Sequence, residues 1–139
     1  MEILSSPIKI GKKIAPNRIV YQPMECNDGD SSGNPTELTL KRYRCLAEGG
    51  AGIIFVESLT ITYESRARKN QLKISEDTAK TLERLVHEIR QINQNSLILF
   101  QINHSGRHSQ ASFSKVVSIY PTEDQSIYLL TDEEIEEIG

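Results

Sequence analysis

Leu97-Ile98-Leu99-Phe100-Gln101-Ile102-Asn103-His104-Ser105-Gly106-Arg107 divides into two unlike halves. The first is an unbroken apolar run of strand length. The second turns to amide, imidazole, hydroxyl, glycine and guanidinium. An apolar run of this kind reads as a strand buried on both faces, as in parallel sheets. Polar groups at its carboxyl end stand where α/β folds place ligands. The plain alternative is a strand that ends in a polar loop.

Working backwards, Ala79, Leu82, Leu85, Val86, Ile89 and Ile92 repeat at helical spacing, with Ser75 as cap and Asn93 and Asn95 as the stop. The segment from Leu59 to Ile74, with Arg66, Arg68 and Lys69, reads as a loop. Gly52-Ile53-Ile54-Phe55-Val56 is a second buried strand, with Glu57-Ser58 at its carboxyl end. Before it, Thr36 suits a helix N-cap, Leu38, Tyr43, Leu46 and Ala47 form an apolar side, and Gly49-Gly50 ends the helix. Asn17 to Gln22 is a strand stopped by Pro23, followed by a polar loop from Cys26 to Pro35. Pro7 to Ile14 reads as a short hairpin around Gly11.

Downstream, Ser109 to Leu130 is irregular, and Thr131-Asp132-Glu133-Glu134 is a capping box that opens a helix. Strands alternating with helices argue βαβ units and a parallel sheet. Right-handed crossovers put both helices on one face if the sheet curls, as in a (β/α)8 barrel. Such a barrel needs about 250 residues, so 139 residues supply about three of its strands and two of its helices. The expectation is an α/β chain that forms a single partial domain over residues 1–139.

Composition is ordinary for a globular protein, at 37% hydrophobic and 25% charged. A net charge of -3 leaves no basic footprint for nucleic acid. No apolar run reaches the roughly 20 residues that span a bilayer, and no signal-peptide pattern opens the chain. Cys26 and Cys45 form neither a metal pair nor a disulfide framework, which fits a reducing cytosol. Three histidines without a carboxylate at ligand spacing give no zinc signature.

Several motifs carry a resemblance. Gln101-x-x-His104-x-Gly106-Arg107 is similar to the third barrel strand of the old yellow enzyme family, the FMN-dependent ene-reductases and 2,4-dienoyl-CoA reductases. Asn17-Arg18-Ile19-Val20-Tyr21-Gln22-Pro23-Met24 resembles that family's Asn-Arg-Ile-Val-x-x-Pro-Met signature. Gly33-x-Pro35-Thr36 and Gly49-Gly50-Ala51-Gly52-Ile53-Ile54-Phe55-Val56-Glu57 match further segments of it. The resemblance implies the amino-terminal portion of a (β/α)8 barrel that binds FMN. NADH or NADPH would be the reductant, and activated alkenes such as enones or dienoyl thioesters the small-molecule substrates.

The resemblance also implies roles for single residues. Unaided, Pro23 ends a strand and Met24 fills core space; in the family both contact the flavin. Glu25 stands where the family has a small residue, threonine or cysteine. A carboxylate there disfavours an anionic reduced flavin unless it turns away or is protonated. Ser58 replaces the family's alanine or glycine at the flavin edge. Gln101 offers an amide acceptor and donors, which complement the flavin pyrimidine edge. Arg107 either neutralises loop carboxylates or assists FMN. His104 reads as a hydrogen-bonding structural residue, and Glu57 as a structural ion-pair partner in preference to a site residue. The family's substrate-binding His/Asn pair, proton-donating tyrosine and phosphate loops belong to later strands. The sequence therefore predicts a piece that is inactive alone and self-associates through open sheet edges. A non-catalytic assembly module derived from such a barrel is the alternative.

Overall fold

A computed structural model describes residues 2–138, apart from the side chain of Tyr63. A short helix α1 (Glu2–Ser5) precedes the hairpin of β1 (Ile8–Ile10) and β2 (Lys13–Ala15), which turns at Gly11 with φ of 57°. The body is a three-stranded parallel sheet of β3 (Val20–Tyr21), β4 (Ile53–Thr60) and β5 (Leu97–Asn103), in the order β3-β4-β5. Helix α2 (Glu37–Glu48) crosses from β3 to β4, and α3 (Ala79–Ile92) from β4 to β5. A parallel pair, β6 (Val117–Ser118) and β7 (Tyr128–Leu129), and helix α4 (Asp132–Ile138) follow.

Both crossovers bring their helices to the same face of the sheet. The core there joins Leu40, Tyr43 and Ala47 of α2 to Ile54, Val56 and Leu59 of β4 and to Leu82, Leu85 and Ile89 of α3. Leu85 and Ile89 are fully buried. Each such side chain contributes roughly 1.5–3 kcal/mol through removal of apolar surface from water. The α2 start follows the expected chemistry: Thr36 accepts the Thr39 N–H, and the Thr39 hydroxyl accepts the Thr36 N–H at 3.1 Å. The α2-to-β4 turn needs glycine twice. Gly50 has φ of 73°, and a Cβ on Gly52 would lie 2.4 Å from the Asn17 carbonyl oxygen.

Four segments differ from the sequence reading. The strand expected over residues 17–22 is paired only at Val20–Tyr21. Asn17 instead acts as a latch, donating to Gly50 O at 2.8 Å and accepting from Gly52 N at 2.8 Å. Pro23 has no N–H to continue the ladder, and Met24 N–H closes a tight turn onto Gln22 O at 2.8 Å. The loop expected from Leu59 begins later, because β4 runs to Thr60 and Lys73 returns to bridge with it. The irregular stretch after Ser109 holds the β6/β7 pair.

The run expected to be buried on both faces is half exposed, with Leu99 at 41% and Ile102 at 59%. The reason is position. Among the described residues β5 is an edge strand with only β4 beside it in the sheet. No helix among the described residues is long and apolar enough to cross a membrane.

Candidate functional site

The carboxyl ends of β3, β4 and β5 lie side by side because the three strands are parallel neighbours. The register aligns Val20 with Ile53 and Ile53 with Leu97. Pro23 and Met24, then Glu57 and Ser58, then Gln101 therefore form one row, about 10 Å across at two strand spacings. A bulge shapes the middle of that row. Val56 pairs with Phe100 and Leu59 with Ile102, so Glu57 and Ser58 together oppose Gln101. Bulges re-aim side chains and concentrate next to functional sites.

Gln101 is exposed and lies on the same side of β5 as Leu99, away from the helices. Among the described residues its amide has no hydrogen-bond partner. Met24 is 62% exposed at the end of β3, where the Pro23 turn leaves it uncovered. Glu25 is not left as an isolated charge: Arg68 Nε lies 3.3 Å from its Oε2. Ser58 is buried at 4% exposure, and the Gln71 amide nitrogen lies 3.2 Å from its carbonyl and 3.4 Å from its hydroxyl.

Glu57 has the structural ion pair expected of it, and more. Its carboxylate bonds Arg42 Nη2, which also reaches Asp28 Oδ1 at 3.0 Å. Burial outweighs the Arg42 guanidinium and holds the Glu57 carboxyl above its ordinary range. Arg42 stacks over the Tyr43 ring at 4.6 Å. Burial likewise raises the Tyr43 phenol well above its usual range.

Arg107 is not part of the row. It follows His104 in a tight turn and lines a separate cavity of about 390 Å³ with Val117, Ile119, Tyr120 and Ile135. His104 is a hydrogen-bonding residue, as its sequence context suggests. Its Nδ1 accepts the Gly106 N–H at 3.1 Å, which leaves the proton on Nε2, and burial lowers its pKa.

Sequence reasoning gave no role to three residues that tie the strands to their neighbours. Asn17, the latch described above, works at the amino end of β4, and the other two at its carboxyl end. Arg66, 2% exposed, donates to Lys69 O at 2.7 Å and Ser31 O at 3.2 Å. Gln71, 1% exposed, pins Ser58 and accepts the Ala67 N–H at 2.9 Å. A charged or amide side chain in a turn-rich loop is ordinarily solvated, so composition offered no signal for their burial.

The sequence model of the NADH:flavin oxidoreductase / NADH oxidase family matches residues 4–137. The chain belongs to that family. FMN and a nicotinamide reductant are the family's cofactors. An NADPH dehydrogenase of Clostridium acetobutylicum is 35% identical over 127 residues, spanning 88% of this chain and 37% of that protein. An NADH oxidase of Thermoanaerobacter brockii is 28% identical over 147 aligned positions, 97% of this chain and 22% of that protein. The chain thus spans well under half the length of these relatives. Among solved structures, an old yellow enzyme from Pichia sp. AKU4542 superimposes with a TM-score of 0.83 at 20% identity, over 97% of this chain and 39% of that one. A 2-naphthoyl-CoA reductase gives 0.87 at 24% identity, over 98% and 24%. These likenesses show the fold: the sheet and its two helices are part of a (β/α)8 barrel.

Proposed function

We propose that this family member binds FMN along the row formed by Pro23, Met24 and Gln101, as part of an ene-reductase of the old yellow enzyme type. The observation that carries the reading is Gln101. An exposed, unpartnered primary amide stands at the carboxyl end of a parallel strand, where such folds place ligands. It offers both an acceptor and donors to the pyrimidine edge of a flavin. Met24 and Pro23 supply an apolar wall two strands away. Glu25, neutralised by Arg68, lies at the rim, and Ser58 contributes through its place in the bulge. Arg107, in its own cavity, takes a peripheral part.

When bound, FMN supplies hydride chemistry between NADH or NADPH and an activated alkene such as an enone or dienoyl thioester. The row binds and orients. Residues 1–139 act as a single partial domain of the barrel, which we place in the cytoplasm. The test is the visible spectrum of the purified chain before and after FMN is added. Uptake of a structured flavin band supports the reading; no uptake at high micromolar FMN removes flavin binding from this chain.

An assembly role is favoured by one observation. Ile19, just before β3, is 47% exposed, and Leu99 and Ile102 of β5 are 41% and 59% exposed, so both outer strands carry uncovered apolar side chains beside unpaired edges. Self-association through these edges would complete the sheet with strands of another chain. Size-exclusion chromatography with light scattering tests it: a discrete flavin-free oligomer supports the module, and a monomer refutes it.

A further inference from the structure

Glu57 is a buried acid at the centre of the candidate site to which the FMN row gives no task. Filling this space with an apolar side chain would cost less than burying a carboxylate. The acid does something an apolar group cannot. Its Oε2 accepts the main-chain N–H of Cys26 at 3.0 Å, two residues after Met24. Its other oxygen bonds Arg42, and its own N–H donates to the Tyr43 hydroxyl at 2.7 Å. That last bond satisfies an amide that the bulge takes out of the ladder.

Arg42 extends the hold along the same loop. It grips Asp28 through Nε at 2.9 Å and Nη2 at 3.0 Å. The Asp28 carbonyl in turn accepts the Thr36 hydroxyl at 2.6 Å and the Thr39 hydroxyl at 3.0 Å. The loop is thereby fixed on both sides of Asn27, whose φ is 54°. Upstream, the Met24–Gln22 turn fixes the other end. Met24 and Glu25 hang between two anchors, one of them the Glu57 carboxylate. Gln101 faces the same bulge from β5. Glu57 thus ties one wall of the row to the strand beside the other.

We propose that Glu57, oriented by Arg42, is a positioning residue for flavin binding: it sets the place of Pro23–Met24–Glu25 relative to the Gln101 amide. The proposal rests on the FMN reading of that row. It is tested in two steps, the first without flavin. Amide hydrogen exchange is measured on the parent chain and on Glu57→Gln, with Glu88→Gln as comparison, since Glu88 serves only Arg44 and Arg84 among its ion pairs. The Cys26 amide should exchange at least tenfold faster in Glu57→Gln, while Leu82 to Ile89 of α3 keep their protection. Glu88→Gln should leave Cys26 unchanged.

FMN is then titrated into each. Glu57→Gln should bind at least tenfold more weakly, with a shifted visible band for the flavin that remains bound. If Glu57→Gln loses α3 protection, Glu57→Asp replaces it, keeping the charge for Arg42 but withdrawing the carboxylate from Cys26. Unchanged Cys26 exchange in a folded variant overturns the anchor. Faster exchange with unchanged FMN affinity and band overturns the positioning role and leaves Glu57 structural. If the parent takes up no FMN, the flavin reading fails and the positioning role fails with it, while the exchange data still decide the anchor.

Discussion

Arg42→Met strips the cation from two buried carboxylates while keeping an apolar stem of similar length. The side chains of Asp28 and Glu57 are only 7% and 1% exposed. Three charge-assisted hydrogen bonds disappear: Nε to Asp28 Oδ2 at 2.9 Å, Nη2 to Asp28 Oδ1 at 3.0 Å, and Nη2 to Glu57 Oε1. Removing one partner of a buried ion pair costs about 3–5 kcal/mol, mostly because the remaining charge stays buried and uncompensated. Set against a total stability of about 5–15 kcal/mol, this is a large fraction. At about 3 °C per kcal/mol for a chain of this size, Tm should fall by about 9–15 °C.

The sign of the pH dependence separates charge from packing. Burial already holds the Glu57 carboxyl above its ordinary value of 4.5. A carboxyl raised in the folded state binds more protons folded than unfolded. Its contribution is fully present below the unfolded pKa and is lost as pH rises through the folded one. Removing Arg42 removes a group that holds this pKa down, so the loss extends to higher pH. Thermal unfolding followed by circular dichroism at pH 5 and pH 8 should show a larger deficit at pH 8. An equal deficit at both would refute the reasoning, because lost packing over Tyr43 does not titrate in that range.

Gln101→Leu should weaken FMN binding about tenfold, the worth of one or two hydrogen bonds, while unfolding shifts by no more than about 0.5 kcal/mol, as read by flavin fluorescence titration and denaturant melts. A parallel loss of stability would show that the amide is structural. Gly52→Ala should destabilise by about 3 kcal/mol, because the obstructing atoms are the Asn17 carbonyl oxygen and nitrogen together with the side-chain oxygen of its latch. Gly50→Ala, which meets open space and only a positive φ, should cost about 1 kcal/mol in the same urea titration. Leu85→Ala, fully buried between helix and sheet, should cost about 2–5 kcal/mol.

The elements themselves were legible because their signals are local. The period of Leu82, Leu85 and Ile89 marks α3, and the hydroxyls of Thr36 and Thr39 start α2 where the capping pattern places it. The strand expected over residues 17–22 was shortened by an interaction no window contains, the Asn17 side chain reaching Gly50 and Gly52. The exposure of β5 was equally hidden. An apolar run records the environment a strand is suited to, and burial depends on which elements lie against it.

By itself, the sequence determined the α/β order, the helix caps and the family motifs, and it offered Pro23, Met24, Glu25, Ser58, Gln101 and Arg107 as cofactor-binding candidates. Tertiary structure alone decided which of those groups stand together. It set Arg107 apart in another cavity, gave Glu25 a partner in Arg68, and turned Glu57 from a strand-end acid into the anchor of the Cys26 loop. Periodicity and caps are properties of neighbours in the chain. A hydrogen bond from the Cys26 N–H to Glu57 across 31 residues and a bulge facing Gln101 exist only once the strands are in register.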